Sequence, residues 1–283
     1  MRLSTVIVNY NTRDHIARAL ASLVENSGDL SHEIFLVDNA SRDGSADMVR
    51  ERFPTVRLLA SETNLWFSGG NNLGMRAAQG EMVYILNPDT VIPPGALQTM
   101  IAYLDAHPEA GAVTCRMVFP DGRYQRTCSK LAGFLDLLFD YTLLGPLLKP
   151  WRDRRRREMW YEGWDRATNH VVEVAPGSNL MVRRAVLDQS GLFDEALKLY
   201  FTEDDLCRRI LGTGCEIHFV AGATIQHEEH ASINKVQRIA THIYFNDLIT
   251  YMRKYHGRPA AALLAVLVFP TRAAMYLKQS LRG

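Results

Sequence analysis

The sequence predicts an α/β fold built on a largely parallel sheet, and three observations carry that reading. Short β-branched runs alternate with helical stretches from Ser4 to about Cys115. Three of those runs stop at small polar clusters: Thr5 to Val8 at Asn9-Tyr10-Asn11, Ile34 to Val37 at Asp38-Asn39, and Met82 to Leu86 at Asn87-Pro88-Asp89. Ligands bind beyond the carboxyl ends of strands in open α/β sheets, so the three clusters are expected to converge on one ligand. At 283 residues the chain suits one large domain, or a domain of about 200 residues with an appendage.

A formal net charge of +1 gives no electrostatic case for nucleic-acid binding, so no nucleic-acid partner is expected and any nucleotide must be held by a defined site. The four cysteines, Cys115, Cys128, Cys207 and Cys215, have no Cys-x-x-Cys spacing and are expected as free, mostly buried thiols. Residues Met1 to Ser4 run straight into a strand pattern without the apolar core of a signal peptide. The expected location is therefore cytoplasmic, at the cytosolic face of the inner membrane.

Taken in order, Ile16, Leu20, Leu23 and Val24 form one helical face after the first strand, and Leu97, Met100, Ile101 and Leu104 repeat the spacing after the Pro93-Pro94-Gly95 turn. Asn9-Tyr10-Asn11 offers polar and stacking contacts, and Asp38-Asn39 offers a carboxylate for the imide N–H of a pyrimidine or for a ribose hydroxyl. No Gly-x-Gly-x-x-Gly turn follows the first strand and no Walker A sequence is present, which counts against dinucleotide and P-loop chemistry. The segment Asn64 to Gly74, with Trp66, Gly69, Gly70 and Asn71, reads as a ligand-facing loop opening a helix, since paired glycines permit close backbone approach. Asn87-Pro88-Asp89 places a carboxylate at a strand end where a divalent metal on a diphosphate could sit; turn or cap chemistry is the alternative.

The character changes at about Lys130. Leu131 to Phe139 is strongly apolar, and Trp151 leads into Arg152-Asp153-Arg154-Arg155-Arg156-Arg157. Aliphatic insertion with arginines at headgroups, and a core helix beside a solvated basic loop, are equal readings of this insert (131–160). In the tail (233–283), a helical stretch from Lys235 to Tyr255 precedes the apolar run Ala260 to Phe269, ended by Pro270 and followed by Arg272, Tyr276 and Lys278. Ten residues are too few to span a bilayer, so a peripheral anchor is expected, with a dimer interface or core helix as alternatives.

Two further clusters carry chemistry. Glu203-Asp204-Asp205 suits a helix N-terminus, and mutual repulsion raises the pKa of at least one acid toward that of a general base. His227, after the strand-like Thr224 to Gln226, is a structural histidine or a metal ligand beside a carboxylate.

The ordered set of motifs resembles the inverting, nucleotide-sugar-dependent glycosyltransferases of family 2, with the GT-A fold, and is most like their bacterial rhamnosyltransferase branch. The resemblance runs from Ser4 to about Ser232. It implies a GT-A domain over 1–232, with a nucleotide-sugar half (1–115) and an acceptor half (116–232). Val6 to Asn11 and Val37 to Ser41 then hold base and ribose, and Asn64 to Gly74 matches the family's Gly-Gly-Asn-Asn loop. Asp89 is carried over as a ligand of Mg2+ or Mn2+, with His227 completing the metal site. Pro176 to Arg184 resembles an acceptor-side loop, so Gly177 and Ser178 fall on the acceptor side. The acidic motif reads Thr202-Glu203-Asp204-Asp205 where many relatives have Glu-Asp-x-Asp. Asp204 is the favoured base, with Glu203 and Asp205 as alternatives.

The implied function is metal-assisted, inverting transfer of rhamnose from dTDP-rhamnose to a glycan or polyprenyl-linked hydroxyl in cell-surface polysaccharide assembly. A UDP-sugar donor (galactosyl, glucosyl or galactofuranosyl) is the runner-up, followed by a nucleotidyltransferase and a non-catalytic scaffold. Membrane contact and a homodimer through 235–269 complete the expectations.

Overall fold

A computed structural model describes residues 1–228 and 237–280, so Glu229 to Val236, and with them the expected boundary at 232–233 and the start of the tail at Lys235, lie outside the described residues. One sheet runs through the molecule. Its parallel half comprises β1 (Leu3–Asn9), β2 (His32–Asn39), β3 (Arg57–Ser61) and β4 (Met82–Leu86), in the order β3-β2-β1-β4. The register sets Asn9 opposite Asp38 and Asn39 opposite Ser61, so the polar strand ends fall on one edge. Beyond β4 the sheet continues through β8 (Asn179–Arg183), β6 (Ala110–Val118) and β9 (Glu216–His227), with β5 (Thr90–Val91) antiparallel to β9 and β7 (His170–Val172) on its flank.

Helices cover both faces. On one, α1 (Arg13–Asn26), α2 (Ser45–Arg52) and α4 (Ala96–Ala106) bury Ile16, Leu20, Leu23, Leu97, Met100, Ile101 and Leu104. Val24, expected on the same stripe, is 47% exposed, because it lies at the rim of the buried arc. On the other face lie α3 (Trp66–Ala77), α8 (Arg184–Ser190) and α9 (Thr202–Leu211). A Cβ at Gly74 would stand 2.5 Å from Val6 Cγ1, and one at Gly70 2.8 Å from Val8 Cγ1. Those glycines let α3 lie directly on β1.

The insert and the tail pack together. Its helices α5 (Phe134–Tyr141), α6 (Leu144–Leu147) and α7 (Lys149–Met159) meet α10 (Gln237–Ser280), and Leu137, Leu138, Phe245, Leu248, Tyr251, Leu264 and Val268 form a third core between them. The kink in α10 is at Gly257 (φ 85°), where left-handed backbone breaks the helix. Pro270 closes the apolar run but lies inside α10, which runs on to Ser280. The arginine run is engaged internally: Arg155 with Asp136, Arg156 with Asp140, Arg154 with Glu158 and Arg157 with Glu162. Apolar side chains still face outward, among them Leu147 (77% exposed), Val266 (71%) and Phe269 (68%). By length and composition Ile239–Leu277 includes a stretch apolar enough to cross a membrane, and the Gly257 kink precedes its apolar run Ala260 to Phe269. Cys115, Cys128 and Cys207 are buried free thiols, and Cys215 is free and half-buried.

Candidate active site

Two cavities open at the carboxyl edge of the parallel strands. The first, about 300 Å3, is lined by Tyr10, Asn39, Asn64, Trp66, Asn87, Asp89, Gly177, Ser178 and Glu203. The second, about 290 Å3, is walled by the insert and lined by Arg126, Lys130, Asp136, Asp140, Tyr141, Trp160 and Asp204. Pro176 and Glu203 line both, so the cavities meet there. Trp66 (φ 60°), Phe201 (φ 59°), Ala40 (φ 64°) and Asn11 (φ 54°) hold left-handed backbone around this edge. For a bulky aromatic that is an outlier, and such strain gathers at ligand sites.

Several expected contacts are braces rather than cavity walls. Asn9 is buried and donates to Asp38 Oδ1 (3.0 Å) and Ser41 Oγ (3.0 Å), while its carbonyl accepts from Thr12 (2.6 Å). Asp38 Oδ2 accepts from the Ser41 amide (3.2 Å), and Asn11 Oδ1 from the Arg42 amide (2.7 Å). The strand ends are thereby tied to the following loop, and Tyr10 and Asn39 are the residues that reach the cavity. Asn39 in turn fixes the next wall, donating to Asn64 Oδ1 (2.8 Å) and accepting from the Leu65 amide (2.6 Å).

Gly69, Gly70 and Asn71 do not form a ligand-facing loop; they are buried within α3. Asn71 donates to the Phe67 carbonyl (2.9 Å). Asn72 performs a task the sequence did not reveal: its amide donates to the Phe193 carbonyl (2.9 Å) and accepts from the Phe193 amide (3.0 Å). With Ser68 donating to the Leu197 carbonyl (2.5 Å), the polar face of α3 grips the segment that leads into the acidic motif. From the other side Asp247 of α10 accepts from the amides of Lys198, Leu199 and Tyr200, at 3.0, 2.9 and 3.0 Å. No motif marks Asp247, because its partners are backbone groups.

The acids divide by environment. Asp205 is fully buried and committed: Oδ2 pairs with Arg209 (2.7 Å), and Oδ1 accepts from Lys254 (2.6 Å) and Tyr255 (2.6 Å). That removes it from the candidate bases, because a carboxylate so neutralised has no reach to a substrate proton. Glu203 and Asp204 sit side by side in the first turn of α9. Burial pushes Asp204 up to about 7, the Glu203 charge adding to it, and burial raises Glu203 as well. The helix N-terminus favours both anions, yet desolvation prevails. Only Glu203 faces both cavities; Asp204 lines the second alone.

The β5–β9 register sets Thr90 opposite His227 and so brings Asp89 to it, with His227 Nε2 3.3 Å from Asp89 Oδ1. Gln125 donates to the His227 carbonyl (2.6 Å), which turns its own Oε1 to the ring and makes Nδ1 the N–H donor (2.9 Å). That leaves Nε2 as the acceptor nitrogen, facing both the Asn87 side-chain amide (3.5 Å) and the Asp89 carboxylate. Two ligands of an octahedral ion with bonds of about 2.1 Å stand about 3 Å apart, so the pair fits a divalent metal. Gln125, unflagged by any motif, supplies the orienting hydrogen bond that metal-binding histidines commonly have. A separate cluster, His107, Glu109 and His218, brings ligand atoms within 4.8 Å of one another. Its His218 lies six β6 register positions from His227, because β9 bulges between Val220 and Thr224; that is roughly 20 Å, so the cluster is no part of this site.

A family model described as Glycosyl transferase family 2 matches residues 4–191. The chain is 28% identical over 264 residues to N-acetylglucosaminyl-diphospho-decaprenol L-rhamnosyltransferase of Mycobacterium tuberculosis, covering 88% of this chain and 83% of that protein. Among solved structures, mannosyltransferase PcManGT from Pyrobaculum calidifontis in complex with GDP-Man and Mn2+ superposes with a TM-score of 0.60 at 19% identity, covering 100% of this chain and 76% of that one. S. aureus TarS 1-349 in complex with UDP gives 0.56 at 17% identity, covering 95% and 71%. The two structural likenesses show the fold alone.

Proposed function

The chain belongs to glycosyl transferase family 2, as a glycosyltransferase with the GT-A fold and most like the rhamnosyltransferase branch, and on that premise we propose that it moves rhamnose from dTDP-rhamnose to a hydroxyl of a lipid-linked glycan with inversion. The observation that carries this reading is the meeting of two cavities at one carboxyl group. The first cavity has the strand-end polar groups and aromatics suited to a nucleotide, and on its wall Asp89, paired with the buried His227, suited to its diphosphate. The second opens onto the paired acids and suits an acceptor.

A base for direct displacement must touch an acceptor hydroxyl while that oxygen attacks the donor's anomeric carbon from the face opposite the diphosphate. The position of Glu203 on both cavities supports it in that role, and we favour it over Asp204 within the cluster. Asp204 shares its proton equilibrium, so that one of the two carboxyls can take the acceptor proton near neutral pH. Asp89 and His227 would hold a divalent ion such as Mn2+ or Mg2+, which when bound would neutralise charge on the leaving diphosphate. Tyr10 and Trp66 offer faces for the base, and Asn39 offers amide contacts. Gly177 and Ser178, expected on the acceptor side, line the first cavity next to Pro176, which borders both, and so fit the approach of donor and acceptor to each other.

Two further readings keep their support. UDP-sugars share the chemistry of the first cavity, so only the branch likeness favours dTDP. Peripheral membrane contact is favoured by the outward apolar residues of α6 and α10, and would bring a lipid-linked acceptor to the second cavity. A donor screen with purified protein, dTDP- and UDP-sugars, and Mn2+ or EDTA tests the proposal. Turnover of dTDP-rhamnose that EDTA abolishes is expected; turnover of UDP-sugars alone would redirect the donor, and no release from any donor would overturn the reading.

A further inference from the structure

We propose that the second cavity binds the diphosphate of a glycosyl-diphosphate acceptor through Arg126 and Lys130; this rests on the transferase reading above. The observation is a contrast in how charges are spent. The two carboxylates of the insert on this cavity's wall are neutralised, Asp136 by Arg155 (2.5 Å) and Asp140 by Arg156 (2.7 Å). Arg126 and Lys130 line the same cavity, are exposed, and form no ion pair among the described residues. Each instead lies against an aromatic ring: the Arg126 guanidinium is 5.3 Å from the Trp160 ring and the Lys130 ammonium 5.7 Å from that of Tyr161. A ring contact of this kind orients a cation without neutralising it.

The cavity is therefore polarised, with a proton-accepting pair at Glu203 and Asp204 and, elsewhere on its wall, two cations without an ion pair among the described residues; the Glu158 carboxylate in the field of Lys130 is paired with Arg154 (2.9 Å). A sugar carrying a diphosphate at its anomeric carbon has matching polarity: a hydroxyl to be deprotonated and, across the ring, an anion of more than one charge. Guanidinium and ammonium groups recognise such oxygens through charge-assisted hydrogen bonds. A neutral glycan would leave both cations without a partner in the bound state.

The experiment compares two soluble acceptors with the full chain: N-acetylglucosaminyl diphosphate on a short prenyl chain, and octyl N-acetylglucosaminide. Wild type is expected to prefer the diphosphate. Arg126→Gln and Lys130→Gln, both surface changes, should each raise its KM about tenfold, and the double variant should erase the preference. Transfer to the octyl glycoside and acceptor-free nucleotide release should stay unchanged, and inorganic pyrophosphate should compete with the diphosphate acceptor in wild type only. Equal losses on both acceptors, no loss on either, or loss confined to binding of anionic vesicles would overturn the proposal with the transferase reading intact. A wild-type chain inactive with every donor would overturn that reading itself.

Discussion

Glu203 and Asp204 are held at the first turn of α9 by contacts that have nothing to do with their own charge: Asn72 and Ser68 on one side of the incoming segment, Asp247 on the other. The raised Asp204 pKa has a consequence for stability. Between about pH 4, where a free aspartate loses its proton, and about 7, the folded chain retains a proton that the unfolded chain has released. Stability therefore falls as pH rises through that window. Asp204→Asn should melt about 2–5 °C higher than wild type at pH 8 and close to wild type at pH 5, as read by thermal unfolding. At the metal pair, Gln125→Leu removes the hydrogen bond that fixes the His227 tautomer. The Mn2+ concentration for half-maximal turnover should rise about 10- to 100-fold; an unchanged value would separate Gln125 from metal binding. Asp89, Glu203 and Asp204 were legible from their strand-end and helix-start positions. Gln125 and Asp247 were not, since their partners are distant in sequence and reveal themselves only in three dimensions.

At the scale of elements, α3 is where sequence reading and structure part most clearly. Paired glycines at Gly69 and Gly70 permit close approach to a ligand or to another backbone with equal ease, and local sequence holds no information to choose. The choice is made by Val6 and Val8 of β1, against which α3 rests. Gly74→Ala should lower stability by about 1–3 kcal/mol, seen as a lower urea midpoint, with nucleotide affinity retained in the folded fraction. Lost affinity at unchanged stability would return this face to the ligand. The same lesson applies to the tail: composition left the run Ala260 to Phe269 as an anchor, an interface or a core helix, and Leu264 and Val268 pack on the insert while Val266 and Phe269 face outward. The parallel strands, by contrast, were legible from alternation and turn residues alone.

For the whole molecule, the insert and tail give the GT-A sheet a third core, and the tail reaches the active site through Asp247 and through the Lys254 and Tyr255 contacts to Asp205. Deleting the tail would thus disturb the site as well as any anchor. Replacing its outward residues is the cleaner test: Val266→Asp with Phe269→Ser should reduce co-sedimentation with anionic vesicles and leave transfer to a soluble acceptor unchanged. Unchanged sedimentation would remove α10 from membrane contact.

The central claim is direct displacement at the junction of the two cavities, with Glu203 as base. It is tested most directly by NMR of the product formed from dTDP-rhamnose, run on wild type and Glu203→Gln. The expected product has the anomeric configuration opposite to the donor's, and the variant should form it about 100- to 10,000-fold more slowly while binding nucleotide normally. A product that retains the donor's configuration, or a variant that turns over at the wild-type rate, would contradict the account.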